Sequence, residues 1–378
     1  MRSLHVAQIN FIPPPVEWGP DDVFHHWPSL PNVAEAVRGS GTRVSVIQLA
    51  LRPAQVERHG VDYRFANIDG AKRPADRGRL VASLLESRDV DVIHVNGLGF
   101  AEETFALAGH LPQVPIVLQD HANRPPRWWR RPQWRRWYGV ASGVAFTALE
   151  QARPFIEAGL FGPSMPLFAI PESSSHFTPG SRAQARLQTG LYGDPCVLWV
   201  GHFNPNKDPL TMLEGVAQAV PQLPDLHLWC AFGNAPLMDE VRRRIDGDAR
   251  LAGRVHLLGK VEHARVETLM RAADLYISAS HVEGSGYALL EAMACSVTPV
   301  VTDIPSFRAF TANGTVGHLW PRGDAAGLAS ALMRADTTGL PRELVRAHFD
   351  ASLSFDTVGR LWTRAYAQVM EQRLRRAS

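Results

Sequence analysis

The sequence predicts an α/β chain of two successive doubly wound units, and three observations carry that expectation. Short β-branched runs alternate with longer helical patterns almost from end to end, as in parallel sheets covered by helices. The alternation pauses at the polar segment ESSSHFTPGSR and then restarts. At 378 residues the chain is longer than one hydrophobic core normally serves, so two domains of roughly 150 to 200 residues are expected. Two such runs joined by a Ser-, Pro- and Gly-containing linker imply two Rossmann-like domains facing a cleft. The boundaries fall at 1–172, a linker at 173–189, a second domain at 190–353 and a final helix at 354–378.

In the first half the strand candidates are LHVAQI, RVSVIQL, DVIHV, PIVLQ, GVAFTA and LFAIP. Helical spacing lies between them near 31–39, 76–88, 101–110 and 149–158. The second half repeats the order with CVLWVG, LHLWCAFG, RVHLLG, DLYISAS and TPVVTD, and with helices near 208–219, 236–247, 265–273 and 287–295. LWTRAYAQVM continues helical spacing in the last stretch. Ligands of such folds bind beyond the carboxyl ends of strands, so residues just after these runs are the ones to read for chemistry.

Composition excludes several classes. Net charge is +2 on 39 basic and 37 acidic residues, which argues against a nucleic-acid protein with a basic footprint over its whole surface. Cys196, Cys230 and Cys295 are widely spaced in apolar segments, so they read as buried reduced thiols of a cytosolic protein. MRSLHVAQIN enters a strand pattern directly, with no leader-like apolar region. No run approaches the roughly 18 apolar residues of a spanning helix, so the expectation is a cytoplasmic protein, with peripheral attachment at the inner face of the membrane kept open. No G-x-G-x-x-G follows the first strand and no G-x-x-x-x-G-K-[ST] occurs, which counts against nicotinamide and P-loop chemistry. Asp21, Asp22, His25 and His26 cluster without an established ligand spacing, so no metal site is expected.

The stretch EGSGYALLEAMACSVTPVVTD, Glu283 to Asp303, holds two glutamates separated by seven residues around a small-residue turn. Gly284, Ser285 and Gly286 follow the apolar run DLYISAS, so a strand ends and a helix opens near Tyr287. Unpaired amides at such a helix start favour a phosphate oxygen. Glu283 lies before the helix and Glu291 about one turn inside it, and a carboxylate accepts two vicinal hydroxyl protons. One glutamate suits a sugar and the other a ribose. A plain αβ unit with solvated glutamates carries the same spacing by chance.

This stretch resembles the family-4 retaining glycosyltransferases (glycosyl transferases group 1) of GT-B architecture, whose hallmark is Glu, seven residues, Glu, then a Val-Pro-Val-Val-like strand. The resemblance implies that Glu283 contacts the donor sugar, that Glu291 holds the donor ribose, and that the final helix packs back on the first domain. VGHFNPNKDP resembles the family segment in which an arginine and a lysine five residues apart hold the donor pyrophosphate. Lys207 keeps the lysine position, and His202 stands at the arginine's. An imidazole lacks the two-pronged guanidinium geometry, and a nearby phosphate favours its protonation. Lys260, after RVHLLG, is grouped with the donor-binding residues, which are otherwise His202, Gly284, Ser285, Gly286, Tyr287 and Glu291. DVIHVNGL and PIVLQDH place His94, Asn96 and His121 at strand ends, and His121 takes the family's strand-terminal role toward the donor sugar, beside Glu283 and Lys207 as the catalytic set. The linker departs from the family's Pro-Asn-Gly pattern, because Glu172 and Ser173 follow Pro171.

Arg124 to Gly139 holds six arginines and four tryptophans with no acid. Such a mixture suits an anionic headgroup boundary, a carbohydrate platform or base stacking, or a core-facing tryptophan stripe under a solvated arginine face. Arg130, Arg131, Arg135, Arg136, Trp128 and Trp134 are the expected acceptor or membrane contacts. Pro125, Pro126 and Pro132 argue against one long helix. The resemblance therefore implies transfer of a sugar from a nucleoside-diphosphate sugar to a carbohydrate or lipid-linked acceptor. Retention of anomeric configuration, metal independence and the absence of any cofactor or nucleic-acid partner are implied with it. A GT-B sugar-nucleotide epimerase and a non-catalytic nucleotide-sugar-binding protein are the alternatives.

Overall fold

A computed structural model describes residues 3–377. The chain divides after Ser173 and again after Ser354 into two compact units, the second being Ser174–Ser354 and the first combining what precedes and follows it.

The first unit is built on β1 (His5–Asn10), β2 (Arg43–Ala50), β3 (Ala54–Arg58), β4 (Val61–Asn67), β5 (Val92–Asn96), β6 (Ile116–Gln119), β7 (Gly143–Phe146) and β8 (Leu167–Ala169). Their order across the sheet is β3-β4-β2-β1-β5-β6-β7-β8. All neighbours are parallel except β3 and β4. Strand order reverses beside β1, with β2 on one flank and β5 on the other, which opens a crevice at their carboxyl ends. The β3–β4 hairpin is absent from the sequence expectation. It turns at His59 and Gly60, at φ 50° and 75°, the paired positive values of a two-residue hairpin turn.

The helix Phe355–Ala377 belongs to this unit. It buries Val358, Trp362 and Tyr366 among first-unit strand and helix residues. It also runs so close to the helix Ser29–Gly39 that a Cβ on Gly359 would stand 2.2 Å from the Ala36 carbonyl oxygen. Only glycine permits that approach.

The second unit carries β9 (Cys196–Gly201), β10 (His227–Phe232), β11 (Val255–Gly259), β12 (Leu275–Ser278), β13 (Thr298–Thr302) and β14 (His318–Trp320). They form an all-parallel sheet in the order β11-β10-β9-β12-β13-β14. Its reversal lies between β9 and β12. Residues 174–189, expected as linker, fall inside this unit. Ser181 caps a helix, Arg182–Thr189, which Gly190 ends at φ 74°, and Arg186 anchors it through Nη2 to Asp274 Oδ2 at 2.6 Å. A half-buried acid just before β12 thus ties a polar, Ser-rich stretch into ordered structure. All three cysteines are buried. Burial pushes the Cys196 and Cys295 thiols up to about 12, so both stay protonated and unreactive.

Candidate active site

Two loops at the β9/β12 reversal build a pocket. After β9 the chain runs through His202 and Asn206 to Asp208, which sits at φ 45° and caps the helix Pro209–Ala219 by accepting from Thr211 N at 3.2 Å. After β12 it passes His281 and Glu283 to Gly286. Asn206 fastens the two loops together. Its carbonyl accepts from His281 N at 2.8 Å, its Nδ2 donates to the Val282 carbonyl at 3.0 Å, and its Oδ1 accepts from Val282 N at 3.2 Å. His281 Nε2 reaches Asp208 Oδ2 at 2.8 Å. This lacing brings the Lys207 ammonium against Glu283 Oε1 as an ion pair, although the two lie 76 positions apart in the chain.

Gly286 opens the helix Tyr287–Ala294 at φ 55°. An alanine there would adopt the disfavoured left-handed conformation and put its Cβ 2.9 Å from the Phe310 ring. Lys207, Glu283, His202, the Ser285–Tyr287 helix start and Glu291 line one cavity of about 240 Å³, with Tyr276 among its walls. Gly284 lies on the same turn. Lys260 lines a different hollow with Glu262 and Arg265, because β11 is the sheet's far edge. Lys260 is not among the residues that line the Lys207–Glu283 cavity.

His202 is more constrained than its position in sequence suggests. Its Nδ1 accepts from Asn234 N at 3.0 Å, so the ring proton belongs on Nε2 and a protonated ring would forfeit that bond. The ring offers one Nε2–H and no fixed charge. Glu291 is 9% exposed, and its Oε1 meets His263 Nε2 at 2.6 Å. That carboxylate raises the His263 pKa, against a smaller opposing effect of burial. His263 was not singled out from sequence, since nothing local ties it to a glutamate 28 residues on.

In the first unit, Asp120 accepts from Ala122 N at 3.1 Å and Asn123 N at 2.9 Å, shaping the turn that carries His121 after β6. His121 Nδ1 meets Glu172 Oε1 at 2.8 Å. Glu172, a departure from the family pattern, is thus the residue that orients this histidine. Burial opposes protonation of His121, but Glu172 and Asp120 outweigh it and the pKa is raised. Burial, with Glu172 nearby, lifts Asp120 to about 6. His94 is fully buried, bonded to Tyr366 Oη at 2.8 Å and Gln119 Oε1 at 3.1 Å, and burial holds its pKa near 3. It is a neutral structural group.

The Arg/Trp segment divides. Trp134 and Trp137 pack on the first unit's core. Arg135 donates to the Gly159 carbonyl at 2.5 Å, Arg131 to the Pro126 carbonyl at 3.4 Å, and Arg136 covers the Phe105 ring. Trp128 and Trp129 are 73% and 55% exposed, beside exposed Arg124, Arg127 and Arg130. The helix Arg131–Tyr138 begins with Pro132 in its first turn, where a missing amide proton costs nothing. Of the supposed metal cluster, Asp22 caps its own helix by accepting from Gly19 N at 2.9 Å, and His26 stacks on Trp18.

Two doubly wound units of this kind are the GT-B architecture, and solved glycosyltransferase structures share it over nearly the whole chain. A structure of Anabaena HepE in complex with UDP matches with TM-score 0.69 at 19% identity, over 97% of this chain and 100% of that one. Residues 194–336 match the family model "Glycosyl transferases group 1". That match lies wholly within the second unit. Phosphatidyl-myo-inositol mannosyltransferase of Mycolicibacterium smegmatis is 33% identical over 177 residues, 46% of this chain and 43% of that protein. GDP-mannose:cellobiosyl-diphosphopolyprenol alpha-mannosyltransferase of Xanthomonas oryzae is 24% identical over 237 residues, 62% of each. The matched stretch thus spans less than half the length of the first of these relatives. No described helix is long and apolar enough to cross a membrane.

Proposed function

We propose that this chain is a family-4 retaining glycosyltransferase that moves a hexosyl group, mannosyl by analogy with the relatives' names, from a nucleoside-diphosphate sugar to an acceptor. The observation that carries this reading is the pairing of Lys207 with Glu283 in one small cavity with the Gly286–Tyr287 helix start and Glu291. In this reading the helix-start amides and Lys207 receive the diphosphate, and His202 adds a single Nε2–H. Glu291 accepts from the ribose hydroxyls, and Glu283 faces the sugar. His121, held by Glu172, takes the strand-terminal role toward the sugar.

As the bond from the anomeric carbon to the diphosphate oxygen breaks, negative charge grows on the leaving group. The fixed ammonium and amides are worth most at that moment. The acceptor oxygen attacks the same face, and its proton passes to the departing phosphate. Lys207 and the amides supply the counter-charge, so the reading requires no divalent cation. The acceptor is carbohydrate or lipid-linked. Its lipid version is supported by exposed Trp128 and Trp129 flanked by arginines, a group that suits an anionic inner-leaflet surface.

A thermal-shift screen of nucleoside diphosphates tests the binding step, because a ligand of the folded state raises its melting temperature. Turnover with chelator present then tests the chemistry. Donor converted without acceptor into an epimeric sugar would replace transfer with epimerisation, and donor binding with no turnover across many acceptors would leave a binding protein. Lys207→Ala should lower kcat far more than it weakens donor binding. Equal kcat in folded mutant and wild type would remove Lys207 from the mechanism.

A further inference from the structure

The second unit holds a hollow of about 570 Å³ that shares no lining residue with the Lys207–Glu283 cavity. Three arginines line it, Arg182, Arg342 and Arg346. Two of them have a carboxylate partner. Arg182 pairs with Asp274, and Arg346 Nη2 meets Asp350 Oδ1 at 2.8 Å. Arg342 instead donates to the carbonyls of Ala273 and Cys295, at 2.9 and 3.1 Å, and no carboxylate among the described residues stands within ion-pair distance of it. Burial, and then the neighbouring Arg182 charge, hold its pKa below the ordinary arginine value, with Asp274 and Glu343 offsetting this in part. Glu343, the other acid of the lining beside Asp350, is exposed. A largely buried guanidinium held by carbonyls alone is short of counter-charge.

Ser296 adds a further donor. It ends the helix Tyr287–Ala294 at the position glycine usually takes, with φ 64°. Its N–H donates to the Met293 carbonyl and that of Val297 to the Ala292 carbonyl, each at 2.9 Å, the paired bonds of a Schellman end. A serine there holds a left-handed backbone at a cost glycine would avoid. The residue is 5% exposed and lines the hollow, and its hydroxyl makes no hydrogen bond to the described residues, so it gains from an acceptor placed there. The helix Arg342–Ser352 also starts at the hollow without a side-chain cap on its first amides, and its positive end favours an anion. A carboxylate brings one charge and two oxygens, enough for a single guanidinium fork. A phosphate monoester carries close to two charges and three terminal oxygens, and serves several forks and a hydroxyl together. We propose that this hollow binds a phosphate monoester, its dianion set among the Arg182, Arg342 and Arg346 guanidinium groups and accepting from the Ser296 hydroxyl. It is a second anion site, separate from the cavity assigned to the donor diphosphate.

The test is a phosphorus-31 NMR titration of the full chain with glycerol 3-phosphate and with inorganic phosphate at physiological ionic strength, acetate serving as competitor. Both phosphates should bind, and acetate should displace them only at about tenfold higher concentration or more. Ser296→Gly separates a ligand role from a structural one, because glycine relieves the left-handed backbone while the hydroxyl is lost. Its melting temperature should rise by about 2 to 4 °C, whereas its phosphate affinity should fall by about tenfold. A hydroxyl with no ligand would leave that affinity unchanged. Ala347→Glu, at an exposed lining position of the helix Arg342–Ser352, should abolish binding by repulsion and leave the fold intact. Lys207→Ala should bind both phosphates as the wild type does. No phosphate binding to the wild type, inorganic phosphate bound with the ester excluded, or affinity indifferent to both Ser296→Gly and Ala347→Glu would each overturn the proposal. Binding lost in Lys207→Ala and kept in Ala347→Glu would overturn it as well, since the phosphate would then lie in the donor cavity.

Discussion

Glu291 is one turn inside its helix, nearly buried and already in contact with His263, so its carboxylate is held in place before any ligand arrives. Glu291→Gln keeps the size and loses the charge, and a charge-assisted hydrogen bond is worth about 1.5 to 3 kcal/mol. Nucleotide affinity should therefore fall by at least about tenfold. Calorimetry showing unchanged affinity in a folded Glu291→Gln protein would remove the ribose role. His121 offers a test of a different kind. Its pKa is raised because Glu172 and Asp120 outweigh burial, so the pairing contributes its full stability below the ordinary 6.5. That contribution is lost as pH rises through the higher folded value. In Glu172→Gln the hydrogen-bonded charge is gone while burial remains, and the imidazole should titrate lower than in the wild type. Imidazole NMR titration reads this directly, and an unmoved His121 pKa would mean that Glu172 does not hold the ring. These two partners, Glu172 and His263, were not recognised from sequence, since each meets its histidine or glutamate only through tertiary folding. The strand-end position of His121 and the spacing of Glu283 and Glu291 were legible because they are local.

The elements readable in sequence were the buried parallel strands and the helices that follow them, whose apolar periodicity is strong. The β3–β4 hairpin was not read because β4 alternates apolar Val61, Tyr63 and Phe65 with polar Asp62 and Arg64, and β3 likewise mixes polar and apolar residues, where continuous apolar runs marked the other strands, yet His59-Gly60 between two short runs was a usable turn signal. The helix Arg182–Thr189 had visible ends in Ser181 and Gly190, but its Ser- and Pro-rich approach read as linker. At the loop that carries Glu283, element geometry makes a sharp demand on one residue. Gly286 combines positive φ with a Cβ position 2.9 Å from Phe310. Gly286→Ala should cost about 1 to 2 kcal/mol from the left-handed backbone alone, and displacing the helix start should weaken nucleotide binding as well. Thermal denaturation and nucleotide titration of the same sample check both, and a variant with wild-type melting temperature and affinity would show that the turn tolerates a side chain.

Each hydrophobic cluster of the molecule belongs to one unit. The second unit's two clusters, one around Leu198, Leu290 and Phe307 and the other around Trp199, Leu213 and Leu332, draw only on residues between 174 and 354. The first unit's second cluster instead needs Val358, Trp362 and Tyr366 from the chain's last helix. The two halves should therefore respond oppositely to truncation. Residues 174–354 expressed alone should fold cooperatively, since a continuous segment with its own cores meets the requirement for an independent domain. They should also retain nucleoside diphosphate affinity within a few-fold, because every residue lining the Lys207–Glu283 cavity lies inside them. A chain ending at residue 354 should keep that fold but lose the first. Without Trp362 and Tyr366 the first unit's sheet leaves large apolar side chains uncovered and the His94 and Gln8 network open, and removing one such aromatic typically costs about 3 to 5 kcal/mol. Hydrogen exchange on the truncated chain would show protection confined to β9 through β14. Protection persisting across β1, β2 and β5 would mean that the last helix covers the first unit without holding it together.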